Sequence, residues 1–222
     1  MRILTAVLAV SLAVCLQPLA NAALVTTTLT FDTPTAAVNR LALTLLDGAT
    51  TTDVSGTLIA RLDMDTTTGV VTSLELDGGL VSTTDWSMTI TGVGLTTGVG
   101  GVGTGDTTLP ATLLVGNNFD ATRHFVALTG GTVTPGAAPT VNLAGTDIEG
   151  FGTGTLTSTL NGGVFDIVFS MQINDDEDVV GQNLNISGTL TARGQVVAVP
   201  EPSSSLVLVG SLALGVFYRR RS

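Results

Sequence analysis

From Val164 to Ile173 the chain alternates with a period of two: Phe165, Ile167, Phe169, Met171 and Ile173 are apolar, and Asp166, Ser170 and Gln172 fall on the other side. Successive side chains of an extended strand point to opposite faces, so this run predicts a strand with one buried face. The same alternation recurs at Val25, Thr27, Leu29 and Phe31; at Leu58, Ala60, Leu62 and Met64; at Val70, Thr72, Leu74 and Leu76; at Trp86, Met88 and Ile90; and at Leu184, Ile186, Gly188, Leu190 and Ala192. Threonine, serine or charge occupies the opposite positions, as in antiparallel strands with one wet side. Turn signals separate the runs at Asp47-Gly48, Asp65 to Gly69, Asp77-Gly78-Gly79 and Asn161-Gly162-Gly163. The pattern predicts an all-β fold, an antiparallel β-sandwich or jelly-roll-like single domain over residues 23–197, with about eight to ten strands. No stretch inside it has the 3.6-residue period of a long amphipathic helix.

Three segments interrupt the alternation. Gly92 to Gly105 is glycine-rich and reads as a long loop or irregular edge, and Thr132 to Thr140, with Pro135, Gly136 and Pro139, reads as another loop. Asn174 to Asp178 is a run of acidic and amide side chains that reads as a solvated turn. Ser55 to Arg61 and Ser187 to Arg193 are identical at six of seven positions. One early and one late copy predict two related strands of one sheet; a solenoid would show a fixed period along the chain.

The ends have a different character. Arg2, an apolar run from Ile3 to Leu16, Gln17-Pro18 and the triplet Ala20-Asn21-Ala22 form a secretory signal peptide over residues 1–22, with cleavage after Ala22. Leu12-Ala13-Val14-Cys15 offers a bacterial lipoprotein cleavage box as the alternative, against which Val14 is bulkier than the residue expected before that cysteine. With the ordinary cut the mature chain has no cysteine, which excludes disulfides and thiol chemistry. At the other end, Leu206 to Tyr218 is uncharged. As a helix it would be about 20 Å long, or about 24 Å if it began at Ser203, short of the ~30 Å of a bilayer core. Arg219, Arg220 and Arg221 form a basic stop that would hold this end in the cytoplasm and leave everything upstream outside.

With both ends set aside, residues 23–202 hold four arginines, no lysine and all 18 acidic residues, a balance of −14. Such a body repels nucleic acid and anionic lipid and favours divalent cations. Gly98-Val99-Gly100-Gly101-Val102-Gly103 has the spacing of a dinucleotide fingerprint, but no helix start follows it to receive a pyrophosphate. His124 is the sole histidine; a serine or threonine activated by it, with Asp120 as the acid, would lack any nucleophile-elbow motif, and Arg123 beside it reads as an ion-pair partner. One histidine without cysteine does not make a zinc site. Carboxylates gather at Asp63 and Asp65 and at Asp175, Asp176, Glu177 and Asp178. Sugar cleavage by such pairs would want aromatic platforms, and Trp86 and Tyr218 are the only tryptophan and tyrosine. Calcium suits those oxygens better, so Asp175, Asp176, Glu177 and Asp178 are the candidate ligands, with Asp63 and Asp65 a weaker set lacking the EF-hand order. No other cofactor is indicated. Asn185-Ile186-Ser187 is a formal glycosylation acceptor lying mid-strand.

Val199-Pro200-Glu201-Pro202, the serines that follow, a glycine-containing apolar segment over 203–218 and the arginines at 219–221 stand in that order over residues 198–222. The arrangement resembles the PEP-CTERM sorting signal of Gram-negative bacteria, in which Pro200, Glu201 and Pro202 would be the motif. The resemblance implies recognition by exosortase, a membrane-embedded protease or transpeptidase, with transient inner-membrane anchoring by a short transmembrane helix. Cleavage near the motif and delivery to the cell surface or an extracellular polysaccharide matrix would follow. It implies no activity for the body. The expected protein is exported through the secretion machinery, is not an enzyme, and has a structural or adhesive β domain that contacts exopolysaccharide and no nucleic acid. The alternative is a secreted carbohydrate-binding module or hydrolase using acidic, calcium-binding loops. A groove in which Asp63, Asp65 and Trp86 converge would favour the alternative; scattered carboxylates around a filled interior would favour the structural protein.

Overall fold

The structure, a computed structural model, describes residues 22–105, 108, 110–123 and 125–199. These form thirteen strands and one short 3-10 turn. In chain order they are β1 (Ala22–Phe31), β2 (Arg40–Leu45), β3 (Gly48–Asp65), β4 (Val71–Thr83), β5 (Trp86–Ile90), β6 (Gly94–Gly105), β7 (Thr112–Leu113), β8 (Asn118–Asp120), the turn Ala121–Arg123, β9 (Phe125–Pro135), β10 (Val141–Asn142), β11 (Asp147–Asn161), β12 (Val164–Val179) and β13 (Gln182–Val197). The all-β antiparallel expectation holds for these residues; the flanking signal and tail helices lie outside them.

The strands belong to one sheet, where a sandwich or jelly roll would have two. Long strands bring this about. One side of β3 pairs with β4 from Val54 to Met64; the other side takes β2 along its first part and β1 along its second. β13 pairs along its whole length with β12, and on its other side meets β2 at Leu184–Ser187 and β1 at Ala192–Arg193. Thus β1 and β2 act as one interrupted strand between β3 and β13. From β13 the pairing continues through β12, β11, β9, β6 and β4 back to β3, so the sheet closes as a barrel does. The short strands β5, β7, β8 and β10 attach to this circuit.

The excursion between β1 and β2 is fastened by Asn39. Its side chain is fully buried at 0% exposure. The amide donates to the carbonyls of Asp32 and Thr191, both at 2.8 Å, and its oxygen accepts from the Thr191 N–H at 2.7 Å. The residue sits at φ 55°, a left-handed conformation that asparagine tolerates better than most side chains.

The period-two reading of β12 gives the core directly. Phe165, Ile167, Phe169, Met171 and Ile173 are all buried, and Phe169 stacks on Phe119 with ring centroids 5.5 Å apart. Leu29, Leu58, Leu62, Met64, Leu74, Leu156 and Leu184 complete one continuous cluster. The repeated heptapeptides lie on β3 and β13 and flank β1 instead of pairing directly: Thr30 is opposite Thr57 on one side and Arg193 on the other.

The glycine-rich stretch corrects the expectation of a loop. Gly94–Gly105 is strand β6, bonded to β4, β5 and β9. Two of its glycines serve close approach: a Cβ at Gly98 would overlap the Trp86 indole, and one at Gly100 would overlap the Thr83 carbonyl. Thr132 to Pro135 likewise continues β9, and only the residues after it turn.

Candidate functional site

The barrel has two distinct ends. One carries the β3–β4 turn after Asp65, the Gly162-Gly163 turn, the start of β1 and the end of β13. The other carries the Leu46-Asp47 turn, the turn at residues 91–93 and the Val180-Gly181 hairpin. Asp47 accepts from the Thr91 N–H at 3.1 Å, which ties two of these turns together.

Both processing candidates lead to the first end. Ala22, the residue before the expected cut, opens β1 opposite Asp65. Val199 donates its N–H to the Thr66 carbonyl at 3.0 Å, and Ala198 donates to Gly163 at the same distance. The body is therefore fastened up to the residue before Pro200. Ala20, Pro200, Glu201, Pro202, Arg219, Arg220 and Arg221 lie outside the described residues, as does His124.

Asp65 closes the turn itself. Its carboxylate accepts from the N–H groups of Thr67 at 2.8 Å and Thr68 at 3.2 Å and from the Thr68 hydroxyl at 2.8 Å. The Thr67 N–H bond, then that of the Thr68 hydroxyl, holds it below the usual carboxylate range. Asp120 similarly caps the 3-10 turn through Thr122. Both carboxylates are committed to local structure. The expected ion pairing of Arg123 is not found among the described residues, where the pairs are Arg40–Asp53, Arg61–Glu75 and Arg193–Asp32.

The stretch 174–178 is no turn. It continues β12 with unbroken register against β13, so its side chains alternate between faces. Asp175 and Glu177 share the face of Ile173 and Val179, and Asp176 and Asp178 point the other way. Asp175 accepts from the Glu149 N–H at 2.8 Å, Asp176 from the Asn185 amide at 3.0 Å, and Asp178 from the Gly181 N–H at 3.1 Å. Glu177 is only 8% exposed. Burial pushes its carboxyl above the usual range, the charges of Asp175, Asp147 and Glu149 add to that, and a Thr146 hydrogen bond opposes it. The four candidate ligands are thus divided, and no group of three or more such side chains among the described residues is arranged to hold a metal ion.

Among the described residues, two of the hollows are the following. A cleft of about 280 Å³ at the terminal end is lined by Thr68, Gly69, Val70, Val71, Gly116, Asn117, Leu156 and Ser158. A small apolar cavity of about 60 Å³ lies toward the other end, among Leu41, Leu43, Trp86, Leu128, Leu143 and Ile148. Neither lining contains a titratable side chain. Trp86 does not meet Asp63 and Asp65. Its cavity includes Thr52, from which the run of β3 to Asp63 spans roughly 35 Å. No groove brings Asp63, Asp65 and Trp86 together; the acids gather instead toward the Val180-Gly181 end, where the charges of Asp175, Asp147 and Glu149 act on Glu177.

These features describe an all-β body whose chemistry is concentrated in the segment leaving it. Residues 198–221 match the family model of the PEP-CTERM protein-sorting motif, the class of tail carried by exported proteins that exosortase recognises. No curated protein and no solved structure matches the chain.

Proposed function

We propose that this protein is a non-catalytic structural or adhesive component of the cell surface or extracellular matrix. The signal peptide starts its export, the tail holds it transiently in the inner membrane, and exosortase cuts at or near Pro200-Glu201-Pro202. The observation that carries this reading is the position of Val199, bonded to Thr66 immediately before the motif. All described strands lie upstream of that point, so a cut at the motif leaves the closed sheet whole.

The body supports a structural role. A sheet closed on itself leaves only short edges, which keeps a concentrated surface protein from pairing strand to strand. The outer face of β1 exposes Thr26, Thr28 and Thr30, a row of hydroxyls able to exchange hydrogen bonds with polysaccharide.

Fractionation of cells that carry exosortase tests the sorting step. Wild-type protein is expected outside the inner membrane, and Pro200→Ala/Glu201→Ala/Pro202→Ala is expected to remain in it. Equal release of the two proteins would defeat the proposal.

A further inference from the structure

The two chain ends leave the body at adjacent residues of one turn: Ala22 lies opposite Asp65 and Val199 bonds to Thr66. Six residues, 200–205, separate Val199 from the apolar run that starts at Leu206. Fully extended they reach at most about 20 Å, so an inserted tail holds this end of the barrel close to the lipid surface.

The same end is apolar on its outside. Leu24, Val70, Leu113, Val115, Leu160 and Val197 are between 58% and 81% exposed. Strand register places them together around it. Leu24 is opposite Asp63, Leu113 opposite Ser73, Leu160 opposite Phe165 and Val197 opposite Val164, while Val70 lies in the β3–β4 turn and Val115 pairs with Asn118 beyond β7. Among the acids nearby, Asp65 caps its turn and Asp166 accepts from Gln195 and Asn161, while Asp63 lies half-buried beside Leu24. The opposite end also exposes Leu46, Val93, Leu95 and Val180, but among Asp47, Asp147, Glu149, Asp175, Asp176 and Asp178, which an anionic lipid surface repels.

We infer that this apolar rim is a lipid-docking surface on which the barrel stands end-on while its tail is in the membrane, with the acidic end directed away. The inference rests on the proposed membrane insertion of the tail. The lipid bilayer is the occupant because the chain beyond the rim continues, within that short reach, into an uncharged apolar segment. Val115→Cys and Leu46→Cys, each in the full chain carrying Cys15→Ser and labelled with an environment-sensitive fluorophore, test it with phosphatidylcholine vesicles. The expected result is a blue shift of the Val115→Cys label on vesicle addition and none from the Leu46→Cys label. Adding Leu24→Ser/Leu113→Ser/Leu160→Ser, all at exposed positions, abolishes that shift while the chain still floats with the vesicles. Equal responses at both labels in a chain that floats overturn the docking surface and leave the sorting proposal standing. A chain that does not float overturns both. A Val115→Cys label already shielded without vesicles overturns the inference in favour of a second copy, or the chain's own tail, covering the rim.

Discussion

Trp86 lies across Gly98, its partner on the neighbouring strand, so closely that even a methyl group at residue 98 would overlap the indole. Gly98→Ala is therefore expected to destabilise the protein by about 1–3 kcal/mol, the range for overpacking a filled site. Urea unfolding measures it, and Trp86→Ala should make the second change much less costly. A Gly98→Ala protein as stable as the wild type would contradict the packing described for β6.

Asn39 offers a second case, resting on hydrogen bonds. Asn39→Ala strips the Thr191 N–H and the Asp32 carbonyl of their side-chain partner and leaves the Thr191 carbonyl with the Asp32 N–H alone. A loss of about 3 kcal/mol is expected from orphaning such buried groups. Asn39→Asp should also destabilise, because a carboxylate then faces two carbonyls. Thermal unfolding of both variants provides the check.

Glu177 predicts a pH dependence. Its folded carboxyl titrates above the ordinary value of 4.5, so folding favours the protonated form. The stability it contributes is full below pH 4.5 and is lost as pH rises through the raised value. Glu177→Gln is neutral at every pH. Its melting temperature should exceed that of the wild type at pH 7, and the difference should shrink as pH falls below the ordinary glutamate range. A constant difference would mean that the charge is not the cause.

Calcium removal gives a simpler reading. With Asp175 and Glu177 on one face of β12 and Asp176 and Asp178 on the other, chelation should leave the melting temperature unchanged. A fall on chelation that added calcium reverses would mean that these side chains converge on an ion after all.

The sequence made some of this legible and hid the rest for physical reasons. Phe165 to Ile173 could be read because each inward position is large and apolar. The continuation through Glu177 could not, since charge suppressed the signal although Glu177 and Val179 keep the same phase. The hairpin there turns on Val180 at φ 55° and Gly181 at φ 74°, and a β-branched residue in that conformation gives no turn signal. The glycines of β6 looked like loop residues because their role, room for Trp86 and for the Thr83 backbone, exists only once strands distant in sequence have paired. Asn39 carried no signal, since its partners lie on β13 and at the end of β1. The sorting tail was legible because an enzyme must read it as a linear segment, independent of the fold.

The most direct test of the proposed sorting is the mass of the mature protein recovered from the surface of cells that carry exosortase. The expected chain begins after Ala22, ends at or near Pro200-Glu201-Pro202 and lacks Arg219, Arg220 and Arg221. A surface protein that still carries those arginines would contradict it.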